Sequence, residues 1–297
     1  MNITPILTGI SQGFVYAVTC TLFIWLVKQV DDWRTKDFDD DRHIDDGNVA
    51  VGLRRAGLYL GIAIALSGAL SGTSGGFFQN LIQLIVDGLI ITGFLFSSRF
   101  LNDYIMMGHL NNDAECIKEF TLADGRKVTG NTALGMVEAS MYIATGFILK
   151  GSLTGEGGTF FQSLVSAVLF FILGQIALLA FGLIYELITP FNVRQEIKKN
   201  NLAAGIGLGG ILIALGIILM GSISGPFTGW TNDIAGFGIY TVYGMAMLLI
   251  FRSVIDRILL PTTTTLAIEI KEDRNVAALI VVESAIAAVA LIIAFSM

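Results

Sequence analysis

Charge is scarce in this chain of 297 residues, because only 14% of them are charged whereas 54% are hydrophobic. Soluble domains carry about 25% charged residues, so the composition excludes an ordinary soluble enzyme, a disordered protein and a coiled coil. The net charge of −6 also excludes a nucleic-acid-binding protein, which needs a basic face. What remains is a polytopic helical membrane protein.

Cysteine and histidine are rare as well, with two residues of each. Two cysteines cannot support a disulfide scaffold in so long a chain. Gly72 to Gly75 match the Gly-x-Ser-Gly letters of rhomboid proteases, but His43 and His109 lie at the opposite, charged ends of the predicted helices. A nucleophilic serine needs a base within hydrogen-bond reach, and no zinc motif or phosphate-binding glycine loop is present. We therefore expect no enzymatic activity, no cofactor and no metal.

Long hydrophobic runs dominate what is present. A helix needs about 20 apolar residues to cross the hydrocarbon core of a bilayer, and strands of a membrane barrel would instead alternate in polarity. These runs are continuously apolar and predict an all-α fold with eight transmembrane helices. The predicted spans are Ile6–Leu26, Val49–Leu70, Phe77–Ser98, Thr132–Leu149, Phe161–Ile188, Leu202–Met220, Ile234–Val254 and Val276–Phe295.

Basic residues lie on one side of these spans. The connections after spans two, four and six are short and rich in Gly and Ser, and of the 18 Lys and Arg residues only Lys150 lies toward them. The other 17 lie in the longer, charged connections or at the helix ends that face them. Because cytoplasmic loops carry the excess of Lys and Arg, we expect a multi-pass protein of the inner (plasma) membrane with both termini outside the cytoplasm.

An Asn-x-Ala signature opens every second span, which indicates an internal repeat. Glycine precedes the Asn in the first two copies, whereas Asn200 and Arg274 take that place in the third and fourth. A second glycine follows the Ala after two residues in three copies, and Leu279 replaces it in the fourth. The chain therefore contains four two-helix units, in two parallel four-helix halves of residues 1–155 and 156–297. The signature residues are Asn48, Asn131, Asn201 and Asn275.

The motif Gly-Asn-x-Ala-x-Gly, which follows a charged turn and opens a glycine-rich helix, resembles the YjfL-like inner-membrane proteins, domain-of-unknown-function family 350. The resemblance covers nearly the whole chain, which looks like a fused tandem pair of such proteins. It implies the fold and the location but supplies no catalytic residue. Members often lie near genes for membrane-stress and polyamine-related proteins, which implies only an association with those processes.

Each unit crosses the membrane twice, so all four units are expected to share one orientation. A pseudo-symmetry axis along the membrane normal follows, as in parallel transporter repeats, and inverted-repeat alternating access is disfavoured. The four Asn residues are predicted helix N-caps. An open alternative is that the four helix N-termini together bind an anion or an acidic lipid headgroup.

Small residues recur at four-residue spacing in the second helix of the first three units, at Gly57 and Gly61, Gly135 and Ala139, and Gly205 and Gly209. In lipid such steps let helices approach closely; glycines lining a permeation path are the alternative.

The loop Asp31–Asp46 has eight aspartates and three basic residues. We interpret it as a solvated acidic loop rather than a calcium site, because Arg42 occupies the position of the calcium-loop glycine. A hairpin is predicted over Lys118–Thr129, with an Asp124-Gly125 turn, and a short strand over Leu266–Ile270. These elements could form a cytoplasmic collar that pairs with a partner.

Five charged residues fall inside the predicted spans: Arg54, Arg55, Asp87, Glu138 and Glu283. Each charge at a helix centre costs about 2.5–3.5 kcal/mol on insertion scales, so we expect them to be buried in the bundle. An Arg–Glu clasp between units is the leading interpretation. Arginines that snorkel to the cytoplasm and a proton or ion relay through the three carboxylates are the alternatives.

Two functional hypotheses follow from these features. The first is a non-catalytic membrane component of an envelope-stress or remodelling system, which anchors a cytoplasmic protein partner through its charged loops. The second is a transporter or channel for a small charged solute. In both cases the surroundings are the lipid bilayer, no nucleic acid is bound, and a homo-oligomer stays open.

Overall fold

The computed structural model describes residues 3–35, 38–71, 75–108, 110–121, 125–154, 160–225, 227–258 and 265–297. Within these ranges, eight helices are long and apolar enough to cross a membrane, which confirms the predicted all-α polytopic fold. These helices are α1 (Thr4–Arg34), α3 (Val49–Ser71), α4 (Phe77–Leu101, followed by a π-helical turn at Asn102–Met106), α6 (Thr132–Leu153), α7 (Phe160–Ile188), α9 (Leu202–Ile223), α10 (Trp230–Ile258) and α12 (Val276–Ser296).

A short helix lies between the two long helices of every unit, at the charged ends of the spans. These four helices are α2 (Asp40–Asp45), α5 (Asn112–Ile117), α8 (Val193–Lys198) and α11 (Leu266–Lys271). The predicted hairpin is confirmed, because β1 (Glu119–Thr121) pairs antiparallel with β2 (Lys127–Thr129); Asp124 of its turn lies outside the described residues.

The strand predicted over Leu266–Ile270 is wrong, because this segment forms helix α11. The spacing of four residues between Leu266 and Ile270 places both buried side chains on one helical face. A segment of six residues is too short for its apolar pattern to distinguish a strand from a helix.

The second helices of the four units form a row, in which α3 packs on α6, α6 on α9 and α9 on α12. We call α3, α6, α9 and α12 the inner helices and α1, α4, α7 and α10 the outer helices. Three outer helices each contact two inner helices: α4 contacts α3 and α6, α7 contacts α6 and α9, and α10 contacts α9 and α12. Helix α1, at the start of the row, contacts α3 and the neighbouring outer helix α4. The units are therefore arranged side by side in chain order.

Glycine allows the inner helices to meet backbone against backbone. A Cβ atom on Gly57 of α3 would overlap the backbone of Ala139, and one on Gly61 would lie 2.6 Å from the carbonyl oxygen of Tyr142. At the next junction, a Cβ on Gly205 would lie 2.5 Å from the carbonyl oxygen of Ala133. The small residues at four-residue spacing therefore produce close helix packing, which in lipid depends on van der Waals contact.

The third junction is built differently where the repeat departs from its pattern. Leu279 replaces the signature glycine in α12, and a Cβ on Gly210 would there meet the side chain of Glu283. Backbone contact returns at the far end of the helices, where a Cβ on Gly221 would lie 2.6 Å from the carbonyl oxygen of Ala294.

The residue before each signature Asn adopts a left-handed backbone conformation. Its φ angle is 81° at Gly47, 89° at Gly130, 57° at Asn200 and 49° at Arg274. Glycine accepts this conformation freely and asparagine visits it at low cost, whereas other side chains strain the backbone. Asn200 and Arg274 therefore keep the turn without glycine. Of the two residues, only arginine is poorly suited to this conformation.

Replacing Arg274 by glycine is expected to raise the free energy of unfolding by about 1 kcal/mol, because the strain at positive φ is removed. Replacing Asn200 by glycine is expected to lower it, although φ is equally positive there. The amide oxygen of Asn200 accepts hydrogen bonds from Thr132 and Ala133, and its amide nitrogen donates to the carbonyl oxygen of Gly130. Denaturant unfolding of the purified protein in detergent measures both changes, and stabilisation by both variants would contradict this account.

Candidate functional site

Each signature Asn caps the inner helix that follows it. The side-chain oxygens of Asn131, Asn201 and Asn275 accept hydrogen bonds from the backbone amide three residues later, and Asn48 accepts in the same way from Val51. These bonds satisfy amides that a helix N-terminus otherwise leaves unpaired.

The same four side chains also connect one unit to the next. Three of their amide nitrogens donate across the junctions: Asn48 to the carbonyl oxygen of Cys116 at 2.8 Å, Asn131 to that of Ile197 at 2.8 Å, and Asn201 to that of Ile270 at 2.7 Å. Every acceptor is the penultimate residue of the short helix in the following unit. The Asn amides are thus engaged within the protein, and the anion-binding alternative finds no support in this geometry.

Asn131 allows the cap and the connection to be separated by mutation. Replacing Asn131 by aspartate keeps the cap acceptor but removes the amide donor. The carbonyl of Ile197 then keeps only its local bond from the Asn200 amide, and a carboxylate is placed at a fully buried position. We expect a loss of about 1–3 kcal/mol in the free energy of unfolding. Asn192 caps α8 with its side-chain oxygen alone, so Asn192→Asp is the matched control and should change stability by less than about 0.5 kcal/mol. Equal losses in the two variants would assign the effect to the introduced carboxylate and not to the lost amide donor.

An Arg–Asp network lies beside these caps, in the first half of the chain. Arg54, whose side chain is 1% exposed, donates to both carboxylate oxygens of Asp40, at 2.9 and 3.1 Å, and to Asp113 at 2.9 Å. Arg55 donates to Asp32 at 2.6 Å and to Asp40 at 2.7 Å. Short helix α2 supplies Asp40 and short helix α5 supplies Asp113. The network therefore joins units 1 and 2.

Arg99, near the end of α4, completes the network. It donates to Asp113 at 2.6 Å and reaches the buried Asp31 of α1 at 3.5 Å. Arg34 lies 3.3 Å from Asp31 and 3.4 Å from Asp113. The long helices α1, α3 and α4 and the short helices α2 and α5 thus supply arginines or aspartates to one set of ion pairs.

The arginines set the protonation of Asp113, which lies outside the spans. Burial alone would raise the pKa of this carboxyl, but the charges of Arg99, Arg34 and Arg54 together hold it below its usual value. A carboxyl whose folded-state pKa is lowered stabilises the fold above its unfolded pKa, and this stabilisation is lost as the pH falls through the folded pKa. The ion pairs are therefore intact at neutral pH.

All five charged residues predicted inside the spans are buried, between 0% and 7% exposed. They do not form one cluster, however, and Arg54 and Arg55 pair with loop aspartates instead of Glu138. Side chains on a helix lean toward its N-terminus, which in α3 is the charged end. The two arginines therefore reach back to α2 and α5, and they do not form the Arg–Glu clasp that the sequence predicts between units.

Glu138, Asp87 and Glu283 lie in three separate places. Both carboxylate oxygens of Glu138 are buried without a hydrogen-bond partner among the described residues, in the field of Arg99 and Arg54. Asp87 accepts a bond from Gln83 on its own helix at 2.8 Å. Glu283 accepts one from Arg252 of α10 at 2.6 Å. An Arg–Glu clasp thus exists in unit 4, with Arg252, which the sequence interpretation did not consider.

The acidic loop is less solvated than its sequence suggests. Asp31 and Asp40 are buried and ion-paired, Asp39 caps α2, and Asp41 bonds Lys28 at 2.7 Å. In the part of the chain that the structure describes, no group of three His, Cys, Asp or Glu residues is arranged to hold a metal ion; Asp37 and His109 lie outside that part. Above all, the roles of Asp40, Asp113 and Arg99 were not predicted from the sequence. In the sequence they are visible only as charges in the connections between the predicted spans or, for Arg99, next to a span.

Comparisons with known proteins agree with this architecture. The family model described as Domain of Unknown Function (DUF350) matches the chain twice, over residues 5–153 and 159–297. A UPF0719 transmembrane protein of Aquifex aeolicus (strain VF5) is 24% identical over 234 residues, which cover 78% of this chain and 80% of the relative. No solved structure matches. The chain therefore belongs to the DUF350 family and carries two tandem copies of its domain, as the predicted four-helix halves require.

Proposed function

We propose that the chain is a non-catalytic component of the inner (plasma) membrane, which anchors a cytoplasmic protein partner in an envelope-stress or remodelling system. The close packing of the inner helices carries this proposal. Gly57 meets the backbone of Ala139, Gly205 that of Ala133 and Gly221 that of Ala294, so the centre of the row is filled by backbone. A packed core with charged connections on one side suits an anchor better than a conduit.

The surface offered to the partner is the charged side of the bundle, with the β1–β2 hairpin at its edge. Side chains along the hairpin alternate between exposed and half-buried positions, and Glu119, Thr121, Lys127 and Thr129 are exposed. A two-stranded ribbon has unpaired backbone groups at both edges and can add a strand from another protein. The hairpin occurs in unit 2, between α5 and α6.

Site-specific photo-cross-linking tests this anchor. A photoreactive residue at Lys127 of the full chain in its host membrane should give one discrete adduct. Thr129→Pro removes a backbone amide that points away from β1, because Gly130 donates to Lys118 and the hydrogen-bonded pairs of an antiparallel ladder alternate. This variant should abolish the adduct while the protein stays folded. The matched position is Phe78, at the opposite end of the spans and 77% exposed. Adducts of equal yield and mass at both positions would overturn the proposal.

The orientation within the membrane is part of the proposal and rests on the distribution of basic residues. Single cysteines at Ser71 and Phe227, next to the Gly/Ser connections, should react with an impermeant thiol reagent added outside intact cells. Cysteines at Lys118 and Lys199, whose side chains are 54% and 57% exposed, should react only after the membrane is opened. The opposite labelling pattern would reverse the topology.

Transport of a small charged solute is the second candidate, and Glu138 is the observation that favours it. An ionisable side chain buried in a span without a hydrogen-bond partner is typical of an ion or proton pathway. In proteoliposomes, the anchor predicts no proton or cation flux above empty vesicles. Flux that Glu138→Gln abolishes and Ser97→Ala retains would replace the anchor with a transporter.

A further inference from the structure

The row of units has two unlike ends, and each end exposes a surface that is buried at the internal junctions. Among the described residues, no unit packs before unit 1 and none packs after unit 4. We propose that these ends bind each other in different copies, so that α12 of one chain packs on α3 of the next in the same orientation. The partner is thus a second copy of this chain.

The leading face of an inner helix is the face that receives the preceding unit. In α6 and α9 a Cβ on the signature glycine, Gly135 or Gly205, would meet the backbone of the preceding inner helix. The equivalent glycine of α3 is Gly52, and a Cβ built there would have nothing within 4 Å. On the same face of α3, Val49, Ala56, Leu60 and Ala63 are exposed.

The trailing face of an inner helix is the face that receives the following unit. Gly57, Ser140 and Gly210 hold the same place in α3, α6 and α9, and they contact Ala139, Gly209 and Glu283 of the following helix, respectively. The equivalent residue of α12 is Ser284, which is exposed together with Ala277 and Ala288 on the same face. A trailing face packs on a leading face at each of the three internal junctions. The leading face of α3 and the trailing face of α12 are both uncovered at the ends of the row.

The hydrogen bonds at the helix caps support the same arrangement. Asn201 donates both to Glu196 of its own unit and to the carbonyl oxygen of Ile270 in the following unit. Asn275 donates to Glu269 of its own unit, and the described residues contain no following unit that could accept a second bond from this amide. In unit 1 the residue equivalent to Ile270 is Ile44, whose side chain is exposed and whose carbonyl oxygen accepts a local bond from Gly47. The carbonyl oxygen of Ile197 accepts a local bond and the unit-linking bond together, so Ile44 can accept the bond from Asn275 of another copy.

The packing of helix α1 supports the same contact. The other outer helices each lie between two inner helices, whereas α1 has one inner helix, α3, and its apolar span is the least buried of the eight described spans. Helix α12 of a second copy would supply the missing inner helix. Because the two faces are different, the contact is head to tail, and it extends into a row or closes into a ring.

Disulfide cross-linking between two tagged copies tests the interface. One copy carries Ala56→Cys and the other carries Ser284→Cys, both in a Cys20→Ser, Cys116→Ala background, so that only an intermolecular bond joins the two tags. Oxidation in native membranes should link about half of the coexpressed protein, because at random mixing half of the copies that carry Ser284→Cys meet a copy that carries Ala56→Cys. The matched pair Leu89→Cys and Ile250→Cys, exposed on outer helices α4 and α10, should stay unlinked. No bond between residues 56 and 284, or equal bonding in both pairs, would overturn the proposal.

A bulky substitution gives a second readout that does not depend on cysteines. Gly52→Leu has free space within one chain and should leave the protein folded, but it should convert the oligomer to monomers by native mass spectrometry. Gly93→Leu is the control, because a Cβ at Gly93 of α4 also has nothing within 4 Å and this residue lies on neither end face. An oligomer that survives Gly52→Leu unchanged, or a monomeric wild type in native membranes, would refute the inference.

Discussion

Replacing Arg54 by glutamine is expected to cause the largest loss of stability of any single change in the Arg–Asp network. The guanidinium of Arg54 pairs with Asp40, whose side chain is also 1% exposed, and with the more exposed Asp113. Removing one partner of a buried ion pair typically costs about 3–5 kcal/mol. We expect a loss at the lower end of this range, because Arg55 still pairs with Asp40 at 2.7 Å. The ion pair of Arg54 with Asp113 contributes less to this loss of stability, because solvent screens a carboxylate that is 39% exposed.

Denaturant unfolding in detergent at pH 7 measures this loss, with the yield of folded protein in membranes as a second readout. Arg42→Gln is the control, because Arg42 has an 81% exposed side chain that lies 3.9 Å from Asp46. Exposed ion pairs contribute about 0–1 kcal/mol. Similar stability in the two variants would mean that the network is solvated.

Replacing Gly57 by alanine adds only one methyl group, but it is expected to separate α3 from α6. The added methyl group would overlap the Cα, Cβ and carbonyl oxygen of Ala139, and this backbone cannot move aside as a flexible side chain would. Overpacking of this kind costs about 1–3 kcal/mol or more, and it outweighs the gain of about 1 kcal/mol that alanine brings to a helix.

Gly93→Ala in α4 gives the matched comparison. A Cβ at Gly93 would have nothing within 4 Å, so the better helix propensity of alanine should leave stability unchanged or raise it slightly. The two glycine substitutions are therefore expected to differ in sign when their unfolding midpoints are compared in the same detergent. Destabilisation by both would show that helix packing is not responsible.

The sequence predicted the spans and the repeat because both depend on local patterns. Eight apolar runs and four Asn-x-Ala signatures are visible without any knowledge of contacts. The order of the inner helices in a row was not predicted, because orientation within the membrane leaves the side-by-side arrangement of units free. The connecting role of the Asn amides was also missed, since Asn131 and its acceptor Ile197 are 66 residues apart.

For the buried charges, too, the sequence predicted the position in the span but not the partner. Hydropathy placed Arg54 and Glu138 inside the spans, and both are buried. The partner of Arg54 could not be inferred from depth alone, because short helix α2, which carries Asp40, was read as part of a loop. The missing information was the path of the connections, which brings their aspartates back onto the helix ends.

Because the units lie side by side, each unit contributes to the free energy of unfolding through itself and through its contacts with its neighbours in the row. As in soluble solenoids, stability is then a sum of unit terms and nearest-neighbour terms. A unit in the middle has two such neighbours, whereas units 1 and 4 have one each within the chain. Unfolding should therefore begin at the ends and move inward, and a sequence could gain or lose whole units while every remaining helix kept its direction across the membrane.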